Sequence, residues 1–258
     1  MPKDSAHRTF LYHAHGHALS GRLTRPLDHV LEVQAGTSLP TIGGHGTTSA
    51  NNFRFQDLIS FRHAYTHVSG SQNEKDGSYT TQATSTVEDL NILDVVTADR
   101  VVARLSSERG PKDDESHVLF LGSKFQNLRI AGTPVDVELN HELFQRMDTF
   151  QSFKKEFKSN SEFRKMAEDP FLTGDKQNVP DPEGVLLCSL VKDMRTASAG
   201  VKRVGHALEV PQFGKVYVGE LHVENHRRAI TMLRLELGSP VGGQIIVAQL
   251  QGNGMPWP

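Results

Sequence analysis

Tyr79-Thr80-Thr81-Gln82-Ala83-Thr84-Ser85-Thr86-Val87 is the run that decides the fold of this chain. Tyr79, Thr81, Ala83, Ser85 and Val87 share one parity, and β-branched or small residues dominate both faces, as a strand within a sheet prefers. Upstream, Ile59, Phe61, His63, Tyr65 and His67 alternate in the same way. Between the two runs, Ser69 to Gly77 is polar and closes on Asp76-Gly77, a pair suited to the positive φ of hairpin loops. The spacing predicts one long antiparallel hairpin.

The pattern continues to Leu139. Val95, Val101, Ala103 and Leu105 form one set and Arg100, Val102 and Arg104 the other. A charged loop, Ser106 to Ser116, precedes Val118 to Leu121, and Val135, Val137 and Leu139 then alternate with Asp136, Glu138 and Asn140. The last of these is a half-buried strand with a wet outer face. A short motif recurs: apolar, any, acidic or amide, Leu, any, apolar or small. Its copies are Phe55 to Ser60, Val87 to Ile92, Phe125 to Ile130 and Val218 to Val223. The first apolar residue and the Leu are three apart, so a flat strand puts them on opposite faces. A bulge or corner inside each copy reconciles them.

Outward from this core, Phe10 to Leu23 and Asp28 to Ala35 read as strands, while Gly36 to Asn52, rich in Gly, Thr and Ser, reads as a loop. After Asn140 the periodicity changes. Leu143, Met147, Phe150, Phe153 and Phe157 follow helical spacing, Asn140 is the expected N-cap, and Ser159 with Glu162 resembles a capping box for a second short helix. Pro170 stops that pattern, and Asp169 to Gly184 reads as a linker. Strands resume at Val185 to Val191, His206 to Val210, Lys215 to Glu224, Ala229 to Leu237 and Gln244 to Leu250. The tail from Gly252 to Pro258, with the lone Trp257, is too rich in Gly and Pro for a central strand.

Roughly twelve strands at short intervals predict an all-β fold, an antiparallel β-sandwich of jelly-roll type. The alternative is a β-solenoid. Residues 1–258 are expected to form a single β-rich domain in which 140–184 is a helical insertion and linker.

A chain of 258 residues with a formal charge of −2 and a pI near 6.7 has no electrostatic bias toward nucleic acid. Its single cysteine, Cys188, lies in an apolar run and excludes an intrachain disulfide; a buried small hydrophobe is the expectation. No run of about twenty apolar residues exists, so no transmembrane helix is expected. Met1 to Arg8 is polar and lacks the apolar centre of a secretion signal. The expected location is the cell surface or exterior if a leader has been removed, and the cytoplasm otherwise.

Three candidates for chemistry stand out. His13, His15 and His17 project from one face of a strand, where imidazole pairs at i and i+2 can bind Zn²⁺ or another divalent metal. Glu220, His222, Glu224 and His226 share a parity further along, and the two faces would make a mixed site of His13, His15, His17, Glu220, His222 and His226 if they met across a sheet. A solvated strand face is the ordinary reading of both rows. The third candidate is the basic helical segment 143–166, with Lys154, Lys155, Lys158, Arg164 and Lys165, as a surface for a membrane or partner. Its ordinary role is to pack its Phe stripe on the domain and leave its charges in water.

Thr84 to Ala103 holds Val87, Leu90 and Thr97-Ala98-Asp99, and Ser123 to Val135 holds Phe125, Asn127, Leu128, Ile130, Gly132 and Val135. In these segments the chain resembles secreted bacterial proteins of the choice-of-anchor P type. The resemblance implies a surface-associated protein without a known reaction.

The functional reading is a non-enzymatic structural, surface-associated or self-assembling protein, a homo-oligomer that binds no nucleic acid and needs no cofactor. The alternatives are a metal-binding protein or metal-dependent enzyme using the His-rich strands, and a carbohydrate- or lipid-binding module.

Overall fold

The hairpin expected from Ile59 to Val87 is present in the computed structural model, which describes residues 9–168, 186–224 and 227–256. The chain runs through β1 (Phe10–Leu11), β2 (Ala14–Arg25), β3 (His29–Gln34), β4 (Thr37–Ser38), β5 (Gly44–Phe55), β6 (Ile59–Gln72), β7 (Tyr79–Ile92) and β8 (Val96–Arg109). There follow β9 (His117–Leu119), β10 (Lys124–Gln126), β11 (Arg129–Ile130), β12 (Thr133–Leu139), and helices α1 (His141–Arg146), α2 (Phe150–Ser159) and α3 (Ser161–Glu168). Last come β13 (Leu186–Ser189), β14 (Val191–Thr196), β15 (Lys202–Val204), β16 (Ala207–Val210), β17 (Gly214–Glu224), β18 (Arg227–Leu237), β19 (Gly242–Gly252) and β20 (Met255–Pro256). The expected linker between Asp169 and Gly184, and Trp257, lie outside the described residues.

One sheet has the order β14-β12-β11-β8-β7-β6-β5, with β9 and β10 also on β8. The other has the order β15-β16-β17-β18-β19-β2-β3, with β13 on β17 and β4 on β2. Pairing is antiparallel and the two sheets pack face to face without closing, so the fold is an all-β sandwich and not a solenoid. The core lies between them. Val87, Leu90, Val101 and Leu105 from one sheet and Leu19, Ile230, Leu233, Val247 and Leu250 from the other are almost fully buried. Each such side chain stabilises the fold by roughly 1.5–3 kcal/mol relative to exposure. Small residues let the sheets approach closely at one place, where the Thr66 hydroxyl donates to Ser85 Oγ (3.1 Å) and Ser85 in turn donates to the His17 carbonyl (3.0 Å). That chain ties β6 and β7 to β2 across the core.

The recurrent motif contains the expected irregularity in every copy. Val87 and Leu90 are both buried on β7 because Asp89 between them has φ +53°, which resets the side-chain alternation. Gly219, at φ +63°, does the same between buried Val218 and Leu221 on β17. In the other two copies the left-handed residue, Gln56 or Asn127, sits where one strand ends and the next begins.

Three expectations need correction. Gly36 to Asn52 is not a loop, because most of β5 lies there and pairs along β6 from Gly44 with Gly70 to Phe55 with Ile59. Both faces of β5 are largely solvated, so no apolar alternation marked it as a strand. The helical pattern over Leu143 to Phe157 is broken into α1 and α2, and a capping box of Thr149 with Ser152 starts the second. Asn160, rather than Ser159, caps α3, its Oδ1 accepting from the N–H groups of Glu162 and Phe163 at 3.0 Å each. Asn140 caps α1 as expected, accepting from Leu143 N–H at 3.2 Å.

Gly219 is where this architecture is most exposed to a single change. Its φ belongs to the region that side chains with a β-carbon resist, by roughly 1–2 kcal/mol and more for a β-branched residue. Gly219→Val is therefore expected to lower the unfolding free energy in urea by about 2 kcal/mol. Val223→Ala, a deletion in the same strand, should cost about as much but leave the β17–β18 register intact in amide exchange, whereas Gly219→Val should raise exchange on both sides of the corner.

Candidate functional site

The predicted histidines do lie together on an outer face. His15 and His17 are on β2 with their side chains half exposed, opposite buried Ala14, Gly16 and Ala18. His13 precedes the strand, its ring centroid 5.4 Å from that of His15. The second row, Glu220, His222 and Glu224, is on β17 of the same sheet, and matched registers put His17, Gln249, Thr231 and Glu220 in one cross-strand line. Both rows thus share a face, but β19 and β18 lie between them. Three strand spacings amount to about 14 Å, too far for a shared metal ion. No group of three or more metal-ligating side chains is assembled among the described residues. His226 lies outside them.

His17 Nε2 is 2.8 Å from Ser20 Oγ, and His222 Nε2 lies 2.8 Å from Glu224 Oε1 without hydrogen-bond geometry. Burial holds the imidazoles of His13, His15 and His17 below their ordinary range, helped by the charge of Arg227 at His13, by His13 and Arg227 at His15, and by His15 at His17.

Glu220 belongs to a network that sequence reasoning missed. Burial opposes its ionisation, but the bonds it accepts outweigh that and draw its carboxyl below the usual range. Arg234 on β18 holds it in bidentate fashion, Nε to Oε2 at 2.7 Å and Nη2 to Oε1 at 2.8 Å. His206, in the turn before β16, reaches Oε1 through Nε2 at 3.3 Å. Arg234 also donates to Glu236, whose other oxygen accepts from the Tyr217 hydroxyl at 3.1 Å, and the guanidinium lies over the Tyr217 ring at 3.7 Å. The reset at Gly219 is what makes this possible: Tyr217 and Glu220, an odd number of residues apart, both point outward. The one legible sign was the alternation of Arg234 and Glu236 with buried Leu233, Leu235 and Leu237.

His206 is 4% exposed and lines a cleft of about 480 Å³ between α1, α3, β14 and the β15–β16 turn. Asn140, Glu142, Leu143 and Arg146 contribute from the α1 side, Asn160, Glu162 and Phe163 from the α3 side, and Lys192 and Arg203 from the floor strands. The helices are seated by their Phe stripe, with Phe144, Phe150, Phe153, Phe157 and Phe163 buried. Beneath them Arg228 of β18 is 1% exposed, its guanidinium 5.6 Å from the Phe150 ring and 5.7 Å from the Phe153 ring. Burial draws its pKa down to about 10. Cys188 is buried, as expected, and burial pushes its thiol far above the usual range.

With this geometry in view, the comparisons supply a family and no function. The sequence profile of a domain of unknown function, DUF8256, matches residues 10–178 and 155–224. The chain belongs to the DUF8256 family. The match spans β2 of the His row, the helical insertion, and Glu220 and His206 of the network. No curated protein and no solved structure matches the DUF8256 chain.

The ionisable groups divide the acid response in two. Unfolded histidines take up protons near 6.5, but His13, His15 and His17 resist this when folded, so their contribution is complete above pH 6.5 and is lost as pH falls toward their lowered values. Glu220 contributes above its ordinary 4.5 and loses that contribution below it. Urea unfolding against pH should therefore fall in two stages. His13→Asn with His15→Asn and His17→Asn should flatten the upper stage, and Glu220→Gln the lower. At neutral pH, Glu220→Gln should cost about 2 kcal/mol by leaving Arg234 without its bidentate partner. A single-stage profile unchanged by either set would contradict these assignments.

Proposed function

We propose that the DUF8256 chain is a non-enzymatic β-sandwich scaffold that assembles with copies of itself through the edge formed by β5 and β3. The observation that carries this reading is the bare edge of β5. It is 12 residues long, about 40 Å, and pairs only with β6 among the described residues. Edge strands usually carry Lys, Pro or inward charges that discourage pairing with another chain. Gly44 to Phe55 has none of these; its one charged residue is Arg54, and its bulge, at left-handed Asn52, falls in the last third of the strand.

The neighbouring edge adds apolar surface. His29 of β3 stacks on Phe55 of β5 with ring centroids 4.5 Å apart, so both edges lie on one side of the sandwich. Leu27, Val30 and Val33, in and beside β3, are 66%, 65% and 59% exposed. Large apolar side chains gathered at an open edge favour association. Antiparallel pairing of β5 with the β5 of a second copy is self-complementary across a twofold axis and closes both ladders. The resemblance to surface-associated bacterial proteins supports the same reading.

Light scattering after size exclusion tests it. The chain is expected to run as a dimer or larger species, and Val30→Lys with Val33→Lys and Thr48→Lys, all at exposed positions, should give a folded monomer. A wild-type chain that stays monomeric at high concentration would refute the proposal.

A further inference from the structure

We infer that His13 and His15 form a two-imidazole site for a divalent transition metal, Cu²⁺ in first place with Ni²⁺ and Zn²⁺ behind it. Sequence spacing alone allows any neighbouring pair of the row, and the structure selects one. The rings of His13 and His15 lie side by side, with centroids 5.4 Å apart and planes at 81°. A metal held by two imidazole nitrogens at about 2.0–2.1 Å sets the ring centroids roughly 4.5–5.5 Å apart, so side-chain rotation alone closes the chelate. His17 is otherwise engaged, its Nε2 lying 2.8 Å from Ser20 Oγ.

The backbone beneath holds the pair ready. Buried Ala14 and Gly16 alternate with the histidines, which turns both rings to the outer face. Asn253 N–H donates to the His13 carbonyl at 2.9 Å, and Leu39 N–H donates to the Ala14 carbonyl at 2.7 Å. His15 is matched with Gln251 on β19 and with Ser38 on β4. A segment fixed from both sides loses little freedom on binding, so little of the binding free energy goes into ordering it.

The donor set chooses the ion. Two imidazole nitrogens suit Cu²⁺, Ni²⁺ and Zn²⁺, whereas Mg²⁺ and Ca²⁺ require oxygen ligands. Within the first group Cu²⁺ binds a given nitrogen site most strongly. Arg227, whose charge reaches both rings, donates to Gln251 Oε1 at 2.7 Å and is paired in register with Glu224 of β17, which offsets part of that charge. Two protein ligands leave the other coordination positions to water, so the metal is exchangeable and the fold does not depend on it, unlike a closed structural zinc site. The pair belongs to one chain and needs no assembly.

Titration calorimetry of untagged, metal-free protein at neutral pH with the chlorides of Cu²⁺, Ni²⁺, Zn²⁺ and Mg²⁺ tests the inference. One Cu²⁺ per chain is expected with a dissociation constant of about 0.1 mM or tighter, with weaker binding of Ni²⁺ and Zn²⁺ and none of Mg²⁺. His13→Asn and His15→Asn should each weaken Cu²⁺ binding by about tenfold or more, while His17→Asn leaves it within about twofold. All three positions face outward, and amide spectra of each variant verify that it is folded. Paramagnetic broadening gives a second readout, in which substoichiometric Cu²⁺ should erase the side-chain resonances of His13 and His15 first. No saturable Cu²⁺ binding, equal binding of Mg²⁺, a loss with His17→Asn as large as with His15→Asn, or broadening centred on other histidines would each overturn the proposal.

Discussion

Side-chain alternation in strands of eleven to fourteen residues must be reset part-way along if both halves are to face one curved core, and that constraint organises this molecule. A left-handed residue performs the reset inside β5 at Asn52, β7 at Asp89, β17 at Gly219 and β19 at Ala248. Without it, Leu90 and Ile92 or Leu221 and Val223 would turn to water, a loss of roughly 1.5–3 kcal/mol for each side chain. A strained φ costs about 1–2 kcal/mol by comparison, so burial wins at the corners of β7, β17 and β19.

The corner at Gly219 reaches beyond the core. Its carbonyl accepts from Leu190 N–H at 2.7 Å, and the Leu190 carbonyl accepts from Asn140 N–H at 2.7 Å. Leu190 is the residue at which the chain passes from β13 in one sheet to β14 in the other, and Asn140 caps α1. The same reset that buries Leu221 therefore helps to seat the helical insertion and turns Glu220 outward to Arg234 and His206. Around it, Arg228 under the Phe rings is the least comfortable group, a cation deep in an apolar layer with burial lowering its pKa.

The sandwich was legible because its central strands are amphipathic and long enough for the two-residue rhythm to be unmistakable, as from Tyr79 to Val87. Even the corners left a trace in the odd spacing of Val87 and Leu90. β5 was not legible, since a strand wet on both faces carries no alternation to detect. The site was only half legible. His15, His17 and Glu220 were correctly placed on outward faces, but parity says nothing about how many strands separate two rows. His206 and Tyr217 escaped notice because their partners come from other strands, with Arg234 fourteen residues from Glu220 in the chain. Only the sheet order reveals such neighbours.

The left-handed corners are open to direct observation by solution NMR. Residues in that conformation give strong intraresidue N–H to Hα contacts and chemical shifts displaced from those of extended chain. Asn52, Asp89 and Ala248 should each stand out in this way within otherwise extended neighbours, with Val87 and Leu90 both contacting side chains of the opposite sheet. Uninterrupted extended shifts through Asp89, with Leu90 in contact only with solvent-facing groups, would contradict the account.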